Sequence, residues 1–223
     1  MSSGSTILST KKLTVAQKEL LLNSGIGFVE FDAIQIEFLE VTNEKEVENA
    51  IFTSKNAVKA IKNSGMNISN CFCVGANTKN FLEENGQKVL ETAQNASDLA
   101  EIIVENYKNE SFLFFCGNLR RDELPGLLKL NNVQLKEQIV YNTYLSSKKF
   151  DRVFDGILFF SPSEVQSYVE ENQIGDSIAF CIGNTTASEV KKYTRNIVIA
   201  NKPTVENVIV QVVKTLGYPL ERG

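Results

Sequence analysis

Four short clusters of small polar residues carry the first chemical signal in this 223-residue chain: Thr53-Ser54-Lys55-Asn56, Gly75-Ala76-Asn77-Thr78, Ser161-Pro162-Ser163 and Gly183-Asn184-Thr185-Thr186. Each follows an apolar run and precedes an amphipathic stretch, as where a strand ends and a helix begins. A helix N-terminus presents free backbone N–H groups and the positive end of a dipole. Hydroxyls and glycine let an anion come close to it. One such cluster alone is ordinarily a helix cap. Their recurrence points to a ligand with several negative charges. A fifth block, Phe115-Cys-Gly-Asn-Leu-Arg-Arg-Asp122, contains Gly117 and Asn118 and brings Arg120 and Arg121, fixed charges suited to carboxylate or phosphate. Tyr141 and Tyr144 stand in the run Ile139-Val-Tyr-Asn-Thr-Tyr-Leu145, where a phenol could lie beside a cleft.

The chain has no histidine. Ser-His-Asp and Cys-His catalysis, His-ligated zinc and His proton shuttles are therefore excluded. Acid–base work falls to Tyr, Lys, Cys, carboxylates or the substrate itself. The net charge of −4 lacks the basic excess of a nucleic-acid binder. No apolar run approaches the roughly 18 residues of a membrane span. Met1-Ser-Ser-Gly-Ser-Thr6 has neither a basic start nor an apolar core, so no leader is expected. Cys71, Cys73, Cys116 and Cys181 each sit in apolar runs without CxxC spacing and read as reduced, buried thiols of a cytoplasmic protein. No Gly-Lys-Ser/Thr makes a phosphate loop. Gly25-Ile-Gly27 lacks a third glycine and precedes a strand instead of following one.

Positioning these residues requires alternating elements. Runs rich in Ile, Val and Phe at 6–9, 27–31, 50–54, 71–75, 112–117, 156–161, 178–183 and 197–200 lack polar alternation, as central parallel strands do. Leu99, Ile102, Ile103 and Tyr107, and again Val205, Val208, Ile209, Val212 and Leu216, follow helical spacing. Ser97, Ser161 and Thr204 mark helix starts; Gly65, Gly86 and Gly217 mark ends. Strands alternating with helices imply an α/β fold with parallel sheets.

The chain also repeats itself. Ile51-Phe-Thr-Ser-Lys-Asn-Ala-Val58 matches Leu158-Phe-Phe-Ser-Pro-Ser-Glu-Val165 at an offset of 107, and Cys73-Val-Gly-Ala-Asn-Thr78 matches Cys181-Ile-Gly-Asn-Thr-Thr186 at 108. Two similar lobes follow. The second copy lacks a leading strand and helix, and 1–34 supplies strand, helix and strand without a partner. The simplest assembly joins 1–34 to 146–223 as one discontinuous lobe and inserts 38–140 as the other. The segments 34–41 and 137–146 then form a two-stranded linker, with a cleft between the lobes.

Seven segments in order, Ile7-Leu-Ser-Thr-Lys11, Ile51-Phe-Thr-Ser-Lys-Asn-Ala-Val58, Val74-Gly-Ala-Asn-Thr78, Cys116-Gly-Asn-Leu-Arg-Arg121, Val140-Tyr-Asn-Thr143, Phe160-Ser-Pro-Ser163 and Ile182-Gly-Asn-Thr-Thr186, resemble the uroporphyrinogen-III synthase family. The resemblance implies two α/β lobes on a two-stranded linker. It implies a cofactor-independent, cyclising hydro-lyase that closes hydroxymethylbilane to uroporphyrinogen III. Water is lost and the terminal pyrrole ring is inverted through a spiro intermediate. The substrate bears eight carboxylates. The resemblance makes Tyr141 the proton donor to the departing hydroxyl. It assigns substrate contacts to Lys11, Ser54, Lys55, Asn56, Thr78, Gly117, Asn118, Arg120, Ser161, Pro162, Ser163, Thr185 and Thr186, and no metal. The expected partners are the tetrapyrrole and an upstream deaminase, with the chain a monomer that touches neither nucleic acid nor membrane. Lys11 departs from the Arg common in the family: it keeps the charge but not a bidentate grip. A non-catalytic two-lobe module for a small polyanion, or a silent relative that partners other tetrapyrrole enzymes, stays open as an alternative.

Overall fold

The computed structural model describes residues 4–41 and 45–217. The first three of the six residues on which the leader reading was made, 1–3, and the distal end of the discontinuous lobe, 218–223, lie outside the described residues. In chain order the elements begin with β1 (Thr6–Ser9), α1 (Val15–Leu22), β2 (Gly27–Glu30), β3 (Ile34–Phe38), β4 (Glu46–Phe52) and α2 (Lys55–Ile61). They continue with β5 (Asn67–Val74), α3 (Ala76–Glu84), β6 (Val89–Ala93), α4 (Ala96–Asn106), β7 (Ser111–Gly117), α5 (Glu123–Leu130) and β8 (Gln134–Leu145). β9 (Gly156–Phe159), α6 (Pro162–Val169), β10 (Ile178–Cys181), α7 (Asn184–Val190), β11 (Ile197–Ile199) and α8 (Val205–Leu216) complete the series.

The chain divides into two compact units, 1–35 with 144–223, and 36–143. The first holds a five-stranded sheet in the order β11-β10-β9-β1-β2, the second a six-stranded sheet in the order β3-β8-β7-β4-β5-β6. Pairs from β1 to β2, β9 and on to β11, and from β4 to β8, are parallel. Equating β4 with β9, β5 with β10, β6 with β11, β7 with β1 and β8 with β2 gives both sheets one order, third-second-first-fourth-fifth. The internal repeat is thus a repeat of topology, cut at a different point in each copy. β3 lies beside β8. Leu39 N–H donates to Val140 O at 3.0 Å and Ser146 N–H to Ala33 O at 2.8 Å, so residue numbers fall along one segment as they rise along the other, an antiparallel pair.

Each sheet is covered on both faces, which is why its strands read as continuous apolar runs. In the second unit α2 and α3 bury Ala57, Val58, Ile61 and Leu82 on one face, and α4 and α5 bury Leu99, Ile103, Leu124 and Leu128 on the other. In the first unit α6 and α7 supply Val165, Tyr168, Ala187 and Val190 on one side, and α1 and α8 supply Leu21, Val208, Ile209 and Val212 on the other.

Three expectations are corrected. β4 and β5 begin at Glu46 and Asn67, before the apolar runs: Val47 and Asn49 are buried between exposed Glu46 and Glu48, a true alternation at the amino ends. The edge strand β6 was not expected, because only Ala93 in it is buried. The cap of α4 is Asn95, whose side chain accepts from Asp98 N–H at 2.9 Å; Ser97 lies inside the helix and donates to Glu123.

Within α6, Ser167 is fully buried and its Oγ has no hydrogen-bond partner among the described residues. A buried polar atom without a partner carries its full desolvation cost. Ser167→Ala is expected to raise stability by about 1 kcal/mol, read as a higher urea midpoint at unchanged slope.

Candidate functional site

In an open sheet of this order the helices change faces where the first and fourth strands meet, leaving a crevice beyond their carboxyl ends. In the second unit those strands are β4 and β7, and the residues following them are Ser54 and Asn118. Ser54 caps α2, its Oγ accepting from Asn56 N–H at 3.1 Å. β7 and β8 shift register between Cys116 and Gly117, which sets Gly117 against Tyr141. The Tyr141 ring lies directly over Gly117: a Cβ there would sit 2.5 Å from two ring carbons and 2.8 Å from the phenol oxygen. Glycine is required at 117 because of that close approach. Burial pushes the phenol above its ordinary range, and the nearby Ser54 side chain offsets part of the rise. At neutral pH the group keeps its proton and can give or share it with an oxygen that becomes basic as it leaves.

Other expected residues of this unit fall around that core. Lys55 is exposed and Asn56 half-buried in the first turn of α2. Thr78, 6% exposed, is the third residue of α3, whose Gly75 cap has φ +83° and contributes no side-chain hydrogen bond. Arg120, expected as a fixed charge for carboxylate or phosphate, has its guanidinium held by Asp122 and Glu137, which keep it protonated. The sequence signal for Arg120 was real, but its partner Glu137 lies on the adjacent strand. Asn118 is exposed, yet both ends of its amide meet Thr143.

The equivalent junction in the first unit joins β9 and β1. Ser161 caps α6, accepting from Glu164 N–H at 3.2 Å; Pro162 takes the first helical position and Ser163 the second. Lys11 Nζ lies 5.5 Å from the centre of the Phe160 ring. Thr185 is exposed and Thr186 buried in the first turn of α7, whose Gly183 cap likewise offers no side chain. Within this unit, Lys11 and Ser161 flank one corner; Thr185 and Thr186 follow the neighbouring strand β10.

A residue outside the expected set organises that corner. Glu164 Oε2 accepts Phe160 N–H at 2.6 Å and stands 2.9 Å from Thr10 Oγ1. Thr10 Oγ1 is also 2.7 Å from Leu158 O, which can only accept. The Thr10 hydroxyl stands as donor toward both Leu158 O and Glu164 Oε2 and has one proton to share between them. Burial pushes this carboxyl up to about 7, against lowering by its backbone and hydroxyl partners and by Lys11. Ser161-Pro-Ser-Glu164 has the spacing of a capping box, a signal present in the sequence, and the Ser161 half of it is formed.

The thiols are not nucleophile candidates. Burial pushes Cys71 and Cys181 up to about 12 and Cys116 to about 11. Among the described residues no group of three or more His, Cys, Asp or Glu could hold a metal ion, and no helix is long and apolar enough to cross a membrane. A cavity of about 250 Å³ lined by Glu46, Asn49, Ser111 and Lys136 opens at the amino ends of β4 and β7, the edge opposite Ser54 and Tyr141.

Residues 16–209 match the family described as uroporphyrinogen-III synthase HemD. The chain belongs to this family. Among HemD relatives, it is 27% identical over 153 residues to the porphyrin biosynthesis protein HemD of Ruminiclostridium josui, a match covering 61% of this chain and 30% of that protein. To the uroporphyrinogen-III synthase of Saccharomyces cerevisiae it is 26% identical over 165 residues, 64% of this chain and 59% of the yeast protein. The matches thus span less than two thirds of either relative. The HemD fold is also seen in solved structures. The Helicobacter pylori uroporphyrinogen-III synthetase superposes with a TM-score of 0.65 at 17% identity, over 94% of this chain and 99% of that one. A mutant Thermus thermophilus uroporphyrinogen III synthase gives 0.71 at 11%, over 95% and 98%.

Two outcomes are expected from this geometry. Gly117→Ala should cost about 1 to 3 kcal/mol in urea unfolding, because the methyl overlaps the Tyr141 ring. Glu164 has a folded-state value raised from 4.5 to about 7, so its stabilisation is complete below about 4.5 and is lost as pH rises through about 7. The loss is about 3 kcal/mol from the shift. Glu164→Gln, which can still accept from Thr10 and Phe160 but does not titrate, should remove this component; a pH-series of unfolding curves for the two proteins measures the difference.

Proposed function

We propose that this chain cyclises hydroxymethylbilane to uroporphyrinogen III, with loss of water and inversion of the terminal pyrrole ring, as a cofactor-independent hydro-lyase. The observation that carries the reading is the Tyr141 phenol, packed on Gly117 beside Ser54 at the strand junction of a HemD-family chain. The terminal hydroxymethyl C–O bond breaks as the ring nitrogen supplies electrons. The departing oxygen takes the proton of Tyr141 and leaves as water, and the phenolate regains a proton from the pyrrole carbon that loses one when the ring closes. The pyrroles drive the remaining steps, and the protein selects the carbon that closes the ring by holding the bilane folded. Ser54, Lys55, Asn56 and Thr78 in one unit, and Lys11, Ser161, Pro162, Ser163, Thr185 and Thr186 in the other, contact substrate carboxylates through hydroxyls, charge and helix-terminal N–H groups. The bilane is supplied by a deaminase acting upstream. The competing reading, a module that binds a polyanion without chemistry, uses the same contacts but needs no phenol.

The assay supplies freshly made hydroxymethylbilane and resolves the oxidised products by isomer. Isomer III above the spontaneous isomer I background is expected; isomer I alone, with the bilane bound, favours the binding module. Tyr141→Phe should lower turnover by about 10²-fold with KM little changed. An unaltered rate would remove the phenol from the mechanism.

A further inference from the structure

We infer that Asn118 is a positioning residue for Tyr141: it acts as an extra rung of the sheet beyond the end of β7 and does not spend its amide on substrate. This rests on the reading that Tyr141 assists the departing hydroxyl. β7 ends at Gly117, where its register with β8 shifts. Past such a shift the β7 side of the ladder offers β8 no regular partner, while β3 pairs with its other edge. Asn118 supplies one. Its backbone N–H donates to Tyr141 O at 3.2 Å. Its side chain then stands in for the next peptide unit: Thr143 N–H donates to Oδ1 at 2.8 Å, and Nδ2 donates to Thr143 O at 3.3 Å. Thr143 is 8% exposed, so its backbone groups need those partners. Asn118 therefore grips β8 at Tyr141 and again two residues further on.

That grip sets the aim of the phenol. Tyr141 and Thr143 project to the same face of β8, because side chains alternate along a strand. The ring lies over Gly117 and packs against the cluster that includes Phe52 and Phe115, with the Ser54 side chain near its phenol. Loss of the Asn118 grip would let the β7-facing edge of β8 shift at Tyr141 and turn the phenol away from Ser54. The two-point hold is not a substitute for burial: the Asn118 side chain itself is exposed, so removing it leaves the core of the sheet packed. This differs from the sequence-based assignment of Asn118 as a substrate contact. Glutamine is one methylene too long to meet both Thr143 groups, and aspartate keeps the acceptor while losing the donor.

The test compares wild type, Asn118→Ala, Asn118→Asp, Tyr141→Phe and the Asn118→Ala/Tyr141→Phe double variant in the isomer-resolved assay. Asn118→Ala should lower kcat by about tenfold, the scale of one lost hydrogen bond, with KM within about twofold. On the Tyr141→Phe background the same change should cost nothing further, since there is no phenol left to aim. An equal loss on both backgrounds, or a loss carried by KM, overturns the inference and returns Asn118 to substrate binding. Asn118→Asp, the milder change, should retain part of the rate and covers the case in which the alanine variant fails to fold. A second readout needs no activity. In protein labelled with 3-fluorotyrosine, the fluorine resonance absent from Tyr141→Phe should move toward the free amino acid in Asn118→Ala, while those of Tyr107 and Tyr168 stay in place. An unmoved Tyr141 resonance sinks the positioning role even if the wild type makes isomer III. A wild type that makes only isomer I fails the synthase reading, and the resonance still decides the clamp.

Discussion

The pairing of the first with the fourth strand of each copy, β9 with β1 and β4 with β7, is the constraint on which the molecule depends. Only there do helices pass from one face of the sheet to the other, so only there do two strand ends open side by side without a helix between them. In the first unit this pairing unites segments far apart in the chain: Thr6 N–H donates to Asp155 at 2.7 Å across a separation of 149 residues. Asp155 N–H returns a bond to Thr6 O at 2.9 Å. The Thr10–Glu164 contact then ties the carboxyl ends of the same two strands. Remove the pairing and Lys11 has no Phe160 beneath it and Ser161 no neighbour.

The two junctions have diverged chemically on one frame. In the second unit the cap serine meets a phenol across a glycine. In the first, the equivalent serine meets a buried glutamate, and Lys11 follows the strand that corresponds to β7. Neither corner relies on an unpaired arginine. Arg120 is neutralised by Asp122 and Glu137, and burial raises Glu164 to about 7. A chain of net charge −4 can thus offer N–H groups and hydroxyls to an anion, with local dipoles outweighing the global sum.

Much of this was legible in the sequence, and the parts that were not share a physical reason. Buried central strands such as Ser111–Gly117 and Gly156–Phe159 announce themselves as unbroken apolar runs. The repeat in the strand-to-helix turns survived because it sits at the junctions the topology fixes. The amino halves of β4 and β5 alternate, and the edge strand β6 is only partly covered, so their pattern is too weak to separate from loop. Glu164 was readable as the fourth residue of a capping box, but its partner Thr10 was not, because nothing local links residues 154 positions apart. The same holds for Arg120 and Glu137, and for Asn118 and Thr143: a side chain's preference is written in its type, its partner only in the fold.

The four thiols have a use that owes nothing to catalysis. All are buried and free, and each is held far from its reactive thiolate form. Cys181 belongs to the first unit, and Cys71, Cys73 and Cys116 to the second. An alkylating reagent can reach each only when its own sheet opens. The natural sequence therefore carries a separate clock for each unit, and the order in which the four sites react records which half of the molecule breathes first.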